Sequence, residues 1–403
     1  MSKKDRGLFV TRPEAKEAIK AFGTGRRILI YGDVGSGKSS LLNLLLYVSR
    51  TEQSYMPVRV LLSEQNVKRS VQEILYTVCM EIVTQVRNRR ISRPVDAIKK
   101  WLLEKRSSDD FYDYMARLIG GFEEEKSVQS KKTAKLSGSI GTGIVPGGSI
   151  SGGIDSEDTI ETRFKSKVEN LPSKVIESYL QQMIVAAEKI GYGGIAIGID
   201  EADHIANVDD VVSMLTVSRG IFFASDKQIF VVAGSMELSR RTELTRGVFD
   251  AMIYVESVPI EVIKDILDKR IRHANSKRSL SSTFDNEAVK AIYSYSDGLP
   301  KDALRLAANA LAEATIANED PVKGAQVKQA QSRSMTHLKQ TLSPSERKVF
   351  DALNKIGESS PSSEELQTIT NLSRQQLDRI LRLLASQNKV RRKKVGKSFN
   401  YYI

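Results

Sequence analysis

The sequence predicts an α/β protein built on a parallel sheet, followed by a helical unit and then by a small unit of helices and a hairpin. Three observations predict it. Five short apolar runs, at 26–32, 57–62, 194–199, 228–233 and 252–255, have strand length. They are continuous rather than alternating, as strands covered on both faces of a sheet are. After residue 259 the pattern turns helical, through EVIKDILDKRIRHAN, DNEAVKAIYSYS and KDALRLAANALAEATIANE. From 345 three more helical patterns (SERKVFDALNKI, SSEELQTIT and SRQQLDRILRLLASQ) lead into KVRRKKV, a turn at Gly396 and SFNYYI.

The 403 residues suit two or three domains, and an apolar fraction of 40% supports packed cores. Lys and Arg number 61 against 49 Asp and Glu, a net of +12 that favours a polyanionic partner, either nucleic acid or an acidic membrane surface. One cysteine, Cys79, excludes an internal disulfide, and with only His204, His273 and His337 a protein-ligated transition metal is not expected. No leader-like apolar region and no run of 18 apolar residues occurs, so a cytoplasmic protein that avoids membranes is expected.

Along the chain, 13–22 opens on Pro13 and stops before Gly23, which suits a helix. RRILIYG at 26–32 reads as a strand, and Lys38 to Val48 reads as a buried helix. Helices are expected at 70–90 and 96–122. The glycine-rich segment 135–154 is open between a flexible loop and a hairpin turning near Pro146.

Between the first strand and its helix, Gly32-Asp33-Val34-Gly35-Ser36-Gly37-Lys38-Ser39 matches G-x-x-x-x-G-K-[ST] in full, with Ser40 next. Glycines let backbone amides turn around phosphate oxygens, and the helix start adds partial positive charge. Lys38 is expected on the β- and γ-phosphates of ATP and the Ser39 hydroxyl on Mg²⁺. The run Ile195 to Ile199 ends in Asp200-Glu201, a carboxylate pair at the sheet's C-terminal edge. Asp200 suits the metal or its water, and Glu201 suits a general base on the attacking water. The competing reading is a helix N-cap at Asp200 or Asp203.

With these motifs the chain resembles the AAA+ P-loop ATPases, in particular the archaeal origin-recognition initiators and related proteins of mobile elements. The resemblance covers most of the chain except an insertion at about 85–175. It implies an ATPase core over 1–258, a helical lid over 259–330 and a winged helix over 340–403. Leu8-Phe9-Val10-Thr11-Arg12 looks like the segment that contacts adenine, with Val10 a nucleotide-binding residue. Ser235 stands where the family places sensor 1. Leu244-Thr245-Arg246-Gly247-Val248-Phe249 resembles the stretch carrying an arginine finger, with Arg246 as the finger and Arg240 and Arg241 as rivals. Asp297-Gly298-Leu299-Pro300-Lys301 resembles the sensor 2 turn, with Lys301 where the family usually has arginine. Lysine neutralises a γ-phosphate as a point charge rather than a fork, and Arg305 one helical turn later is a possible substitute.

In the last unit, Leu377, Ile380, Leu381 and Leu384 follow i, i+3, i+4, i+7 spacing and should face a core. Gln375, Arg379 and Arg382 then lie on the opposite face, with Ser373 as N-cap. Such a helix can enter a DNA major groove, with Arg391, Arg392, Lys393, Lys394 and Lys397 of the wing meeting phosphates. Residues 340–403 carry 12 Lys or Arg against six Asp or Glu, so this unit holds half of the chain's surplus charge. The expected function is an initiator-like, ATP-dependent DNA-binding ATPase with slow, switch-like hydrolysis. Its partners are double-stranded DNA and a second copy or partner ATPase that supplies or receives the finger. Two alternatives stay open: a STAND-type signalling ATPase, in which Gly298-Leu299-Pro300 also occurs, and an AAA+ transposition regulator.

Overall fold

A computed structural model of the chain describes residues 7–10, 12–24, 27–88, 92–105, 110–119, 157–205, 207–217, 219–222, 226–241, 247–386, 389–395 and 398–403. The chain divides into two compact units. The first comprises Pro13–Tyr31 and Leu41–Ile253, and the second Ser2–Arg12, Gly32–Ser40 and Tyr254–Ile403.

Helix α1 (Pro13–Gly23) buries Ala15, Ala18, Ala21 and Phe22, and β1 (Ile28–Gly32) follows it. Next come α2 (Lys38–Glu52), β2 (Tyr55–Leu61), α3 (Ser70–Asn88) and α4 (Ser92–Glu104). Within the stretch expected to be helical over 96–122, α4 ends at Glu104 and residues 110–119 are helical as well. After α5 (Glu157–Glu169) and α6 (Ser173–Lys189) the chain runs through β3 (Gly194–Asp200), α7 (Val208–Val217), β4 (Gln228–Gly234) and β5 (Ala251–Val255). The five strands form one sheet in the order β2-β3-β4-β1-β5. β2, β3, β4 and β1 pair in parallel, so β1, β3 and β4 all end on one edge of the sheet. Every residue of β3 and β4 is buried, which is why these segments read as unbroken apolar runs.

A large core cluster of this unit packs against the sheet. Val58, Ile197 and Phe230 of the sheet share it with Tyr179 and Met183 of α6, with Ile98 and Leu102 of α4, and with Phe111, Met115 and Phe164. Phe111 stacks on Tyr179 at 4.1 Å and 2°. Each such fully buried aliphatic or aromatic side chain contributes about 1.5–3 kcal/mol. The glycine-rich segment 135–154 lies outside the described residues.

In the second unit, α8 (Ile260–Ala274), α9 (Asn286–Ser296), α10 (Pro300–Ile316) and α11 (Gly324–Gln340) pack around Ile263, Leu267, Ile292, Leu306 and Ala310. α12 (Pro344–Ile356), α13 (Glu364–Thr370), α14 (Arg374–Ser386), β6 (Arg391–Val395) and β7 (Ser398–Tyr402) close around Phe350, Leu353, Leu366, Leu377, Leu381, Leu384 and Tyr401. α12 starts on a capping box: the Ser343 hydroxyl accepts from Glu346 N, while Ser343 N donates to the Glu346 carboxylate at 2.8 Å. β6 and β7 are antiparallel, and Ser359 bridges Tyr401 through both backbone hydrogen bonds. Among the described residues no helix is long and apolar enough to cross a membrane.

Candidate nucleotide site and C-terminal basic surface

β1 ends at Gly32 and α2 begins at Lys38, so the residues between them make the tight turn that the motif requires. Gly35 (φ 88°) and Gly37 (φ 105°) take the left-handed backbone that side-chain-bearing residues avoid. Lys38 is only 5% exposed, and its Nζ donates to the carbonyls of Gly32 (3.0 Å) and Asp33 (2.8 Å). The ammonium is therefore drawn back over the loop that precedes it. Ser36 is fully buried, and its hydroxyl has no hydrogen-bond partner among the described residues. Ser39 and Ser40 are exposed on the first turn of α2.

Two further groups hold this loop within the second unit. Arg12 donates from one guanidinium nitrogen to the Ser36 carbonyl and from another to the Glu256 carbonyl, each at 2.7 Å. The backbone N of Lys301 donates to the Gly35 carbonyl at 3.3 Å. Val10 is half-buried, and Lys269 donates to the neighbouring Phe9 carbonyl at 2.8 Å. The grip of Arg12 was not visible in the motif, because it comes from 24 residues upstream of its acceptor. Left-handed glycines, a sequestered ammonium, an unsatisfied buried hydroxyl and a helix start together fit phosphate oxygens.

The acidic strand end is built differently. Asp200 is 1% exposed, and Arg59 of β2 places a guanidinium nitrogen 2.5 Å from its Oδ2. Register explains the pairing: Leu61 lies opposite Asp200, so Arg59, two residues earlier, faces the same way. Oδ1 accepts from the Glu201 backbone N at 2.9 Å. Glu201 itself has φ 65°, a conformation that costs a non-glycine residue about 1 kcal/mol or more and concentrates at functional positions. The N-cap reading is not what is observed, since the next helix, α7, takes its cap contact from Asn207, whose side chain accepts from Asp209 N at 3.1 Å. Among the described residues no three or more His, Cys, Asp or Glu side chains converge as a metal cluster.

Ser235 follows β4, and its hydroxyl accepts from Leu238 N at 3.2 Å, a turn-closing contact. Arg246 lies outside the described residues. Of its rivals, Arg241 pairs with Asp209, and Arg240 ends a short 3₁₀ turn. Arg305 pairs with Asp302 at 3.0 Å.

At the C-terminal surface, Leu377, Leu381 and Leu384 are fully buried, and Ile380 packs against them. Gln375, Arg379 and Arg382 are exposed, and Arg382 is bonded to Asp378 at 3.0 Å. Ser373 and Gln376 cap α14 reciprocally. On β6, Arg392 and Lys393 are exposed, with Arg392 5.0 Å above the Phe399 ring. Arg391 is instead committed to Asp302, at 2.9 Å. Lys394 lies on β6, while its side chain and all of Lys397 fall outside the described residues.

No protein-family model matches the sequence, and no curated protein does. Solved structures do. The Walker-type ATPase of Pyrococcus abyssi aligns over 97% of this chain and 96% of its own, at 12% identity and a TM-score of 0.50. The Aeropyrum pernix Orc1 protein in complex with DNA aligns over 100% and 94%, at 12% identity and 0.48. The Thermotoga maritima RuvB Holliday junction branch migration motor aligns over 97% and 92%, at 14% and 0.43. With a five-stranded sheet that is parallel over β2, β3, β4 and β1, and with the glycine-rich loop between β1 and α2, the chain has a P-loop NTPase type of α/β fold.

Proposed function

We propose that this chain is an ATPase whose nucleotide state governs its hold on double-stranded DNA. The observation that carries the reading is Lys38 at the head of α2, held over a turn in which Gly35 and Gly37 are left-handed. In that reading the loop amides and Lys38 take the β- and γ-phosphates, and Ser40 and Val10 contribute to the nucleotide pocket. Ser39 and Asp200 hold Mg²⁺, which needs only one or two protein oxygens when it arrives on a nucleotide. Magnesium supplies charge neutralisation for the phosphate oxygens. Glu201 accepts a proton from the water that attacks the γ-phosphorus, and the bond to the β-phosphate oxygen breaks to leave ADP and phosphate. Lys301 and Ser235 orient the γ-phosphate, and Arg246 serves a neighbouring subunit's nucleotide. Turnover is slow and regulatory.

The DNA half of the reading rests on chemistry at the C-terminal unit, read as a winged helix. Gln375, Arg379 and Arg382 stand exposed on a helix whose other face is core, as groove-reading residues do. Arg392, Lys393, Lys394 and Lys397 suit the flanking phosphates. Calorimetry of the wild-type chain with magnesium-ATP tests the nucleotide half, and no measurable heat of binding removes it. Duplex affinity across a salt series tests the other half, where a flat response would remove the phosphate contacts.

A further inference from the structure

The turn Asp297–Asp302 is held from two sides, and both holds lie in the second unit. Asp297 ends α9 with φ 52°, Gly298 follows with φ 68°, and the Gly298 carbonyl accepts from Val258 N at 2.8 Å. On one side the turn meets the phosphate loop through Lys301 N and the Gly35 carbonyl. On the other it meets the C-terminal hairpin. Arg391 sits 2.9 Å from the Asp302 carboxylate and 3.7 Å from that of Asp297, and the Tyr402 hydroxyl donates to Asp297 at 3.3 Å. Arg391 and Tyr402 are cross-strand partners, so one face of the hairpin presents both groups together. The opposite face carries Tyr401 into the hairpin's own core.

This contact is more than a surface ion pair. The Arg391 side chain is 24% exposed and that of Asp302 22%, which shields the pair from solvent and salt. Burial pushes the Tyr402 phenol up to about 12, with the Asp297 carboxylate adding to the rise and Arg391 opposing it.

We propose that Arg391 and Tyr402 form a latch between the C-terminal hairpin and the phosphate loop, and that a duplex phosphate competes with Asp297 and Asp302 for Arg391. The latch follows from the contacts alone; the competing duplex rests on the proposed function. With the latch closed, the turn keeps Lys301 against Gly35 and withholds one cation from DNA. A nucleotide that favours the closed turn therefore weakens duplex binding, and duplex weakens nucleotide binding by the same factor, because coupling between two ligands is reciprocal.

The test uses the full chain, the variants Asp302→Asn, Tyr402→Phe and Arg391→Ala, and two readouts. Amide hydrogen exchange reports the latch without DNA: exchange at Leu299 and Lys301 should accelerate in Asp302→Asn and in Tyr402→Phe. Unchanged exchange in both overturns the latch, whatever DNA does. Fluorescence anisotropy with a labelled duplex reports the competition. A non-hydrolysable ATP analogue should weaken wild-type binding about fivefold, and Asp302→Asn should remove most of that effect. It should also steepen the salt dependence by about one phosphate contact. Both changes should vanish when Arg391→Ala is already present, because a general gain of positive charge would persist there. Persistence overturns the competition. Accelerated exchange in a chain that binds no duplex overturns the proposed function and leaves the latch standing.

Discussion

The phosphate loop and the acidic end of β3 each take one charged side chain out of water, and they do it by opposite means. Lys38 is satisfied by carbonyls five and six residues away in its own loop. Asp200 is satisfied by a guanidinium 141 residues away, on the neighbouring strand. The first arrangement is written into one short motif and needs only glycine backbone to form. The second needs the sheet to assemble in register before the charge has a partner. A local site is preorganised by conformation, whereas a cross-strand site is preorganised by the fold.

The sharpest way to break this comparison is Lys38→Ala. It should lower magnesium-ATP affinity about 100-fold or more, since charge-assisted contacts to phosphate are each worth about 1.5–3 kcal/mol. Unaltered calorimetric affinity would show that the loop does not grip phosphate. Glu201→Gln comes next: hydrolysis should fall about 100-fold, the upper range for loss of a general base being about 10⁴, while ATP affinity is kept. Full turnover of phosphate release in that variant would remove Glu201 from the chemistry.

Arg59→Ala addresses the other half of the comparison. It strands a buried carboxylate, and because Arg59 is itself 40% exposed the loss should be about 1–2 kcal/mol, read as a lower urea midpoint without nucleotide. An unshifted midpoint would mean that Asp200 finds another partner at no cost. The smallest effect belongs to the cap of α12. Ser343 holds the Glu346 carboxyl below the usual carboxylate range. A depressed folded pKa contributes stability that is present above the unfolded value and lost as pH falls through the folded one. Ser343→Ala should cost about 1 kcal/mol at neutral pH and flatten the acid side of the stability profile, measured by thermal melts from pH 7 down to pH 3.

What could be read in advance follows the same division. The five strands were legible because β3 and β4 are buried along their whole length, which leaves an unbroken apolar run. The core face of α14 was legible because Leu377, Leu381 and Leu384 repeat at helical spacing. The end of α4 at Glu104 was missed although the sequence signals it, since 105–110 carry no apolar residue and are rich in serine and aspartate. The partners of Asp200, Ser36 and Arg391 were not legible. Arg59, Arg12 and Asp302 reach them only after distant strands and helices have met. Arg391 is the instructive case: a run of four basic residues reads as one surface, yet a strand alternates its faces, and the first of the four turns inward to a carboxylate.

The stacked pair Phe111 and Tyr179 bears on how this chain could be trimmed. The sequence suggests that the region 85–175 is an insertion. Yet Phe111, Phe164 and Val168 belong to the same packed interior as the central sheet. Excision of the whole region would uncover the aromatic side of α6 and leave an oily scar across the molecule. The described helices of this region are thus part of the unit's foundation.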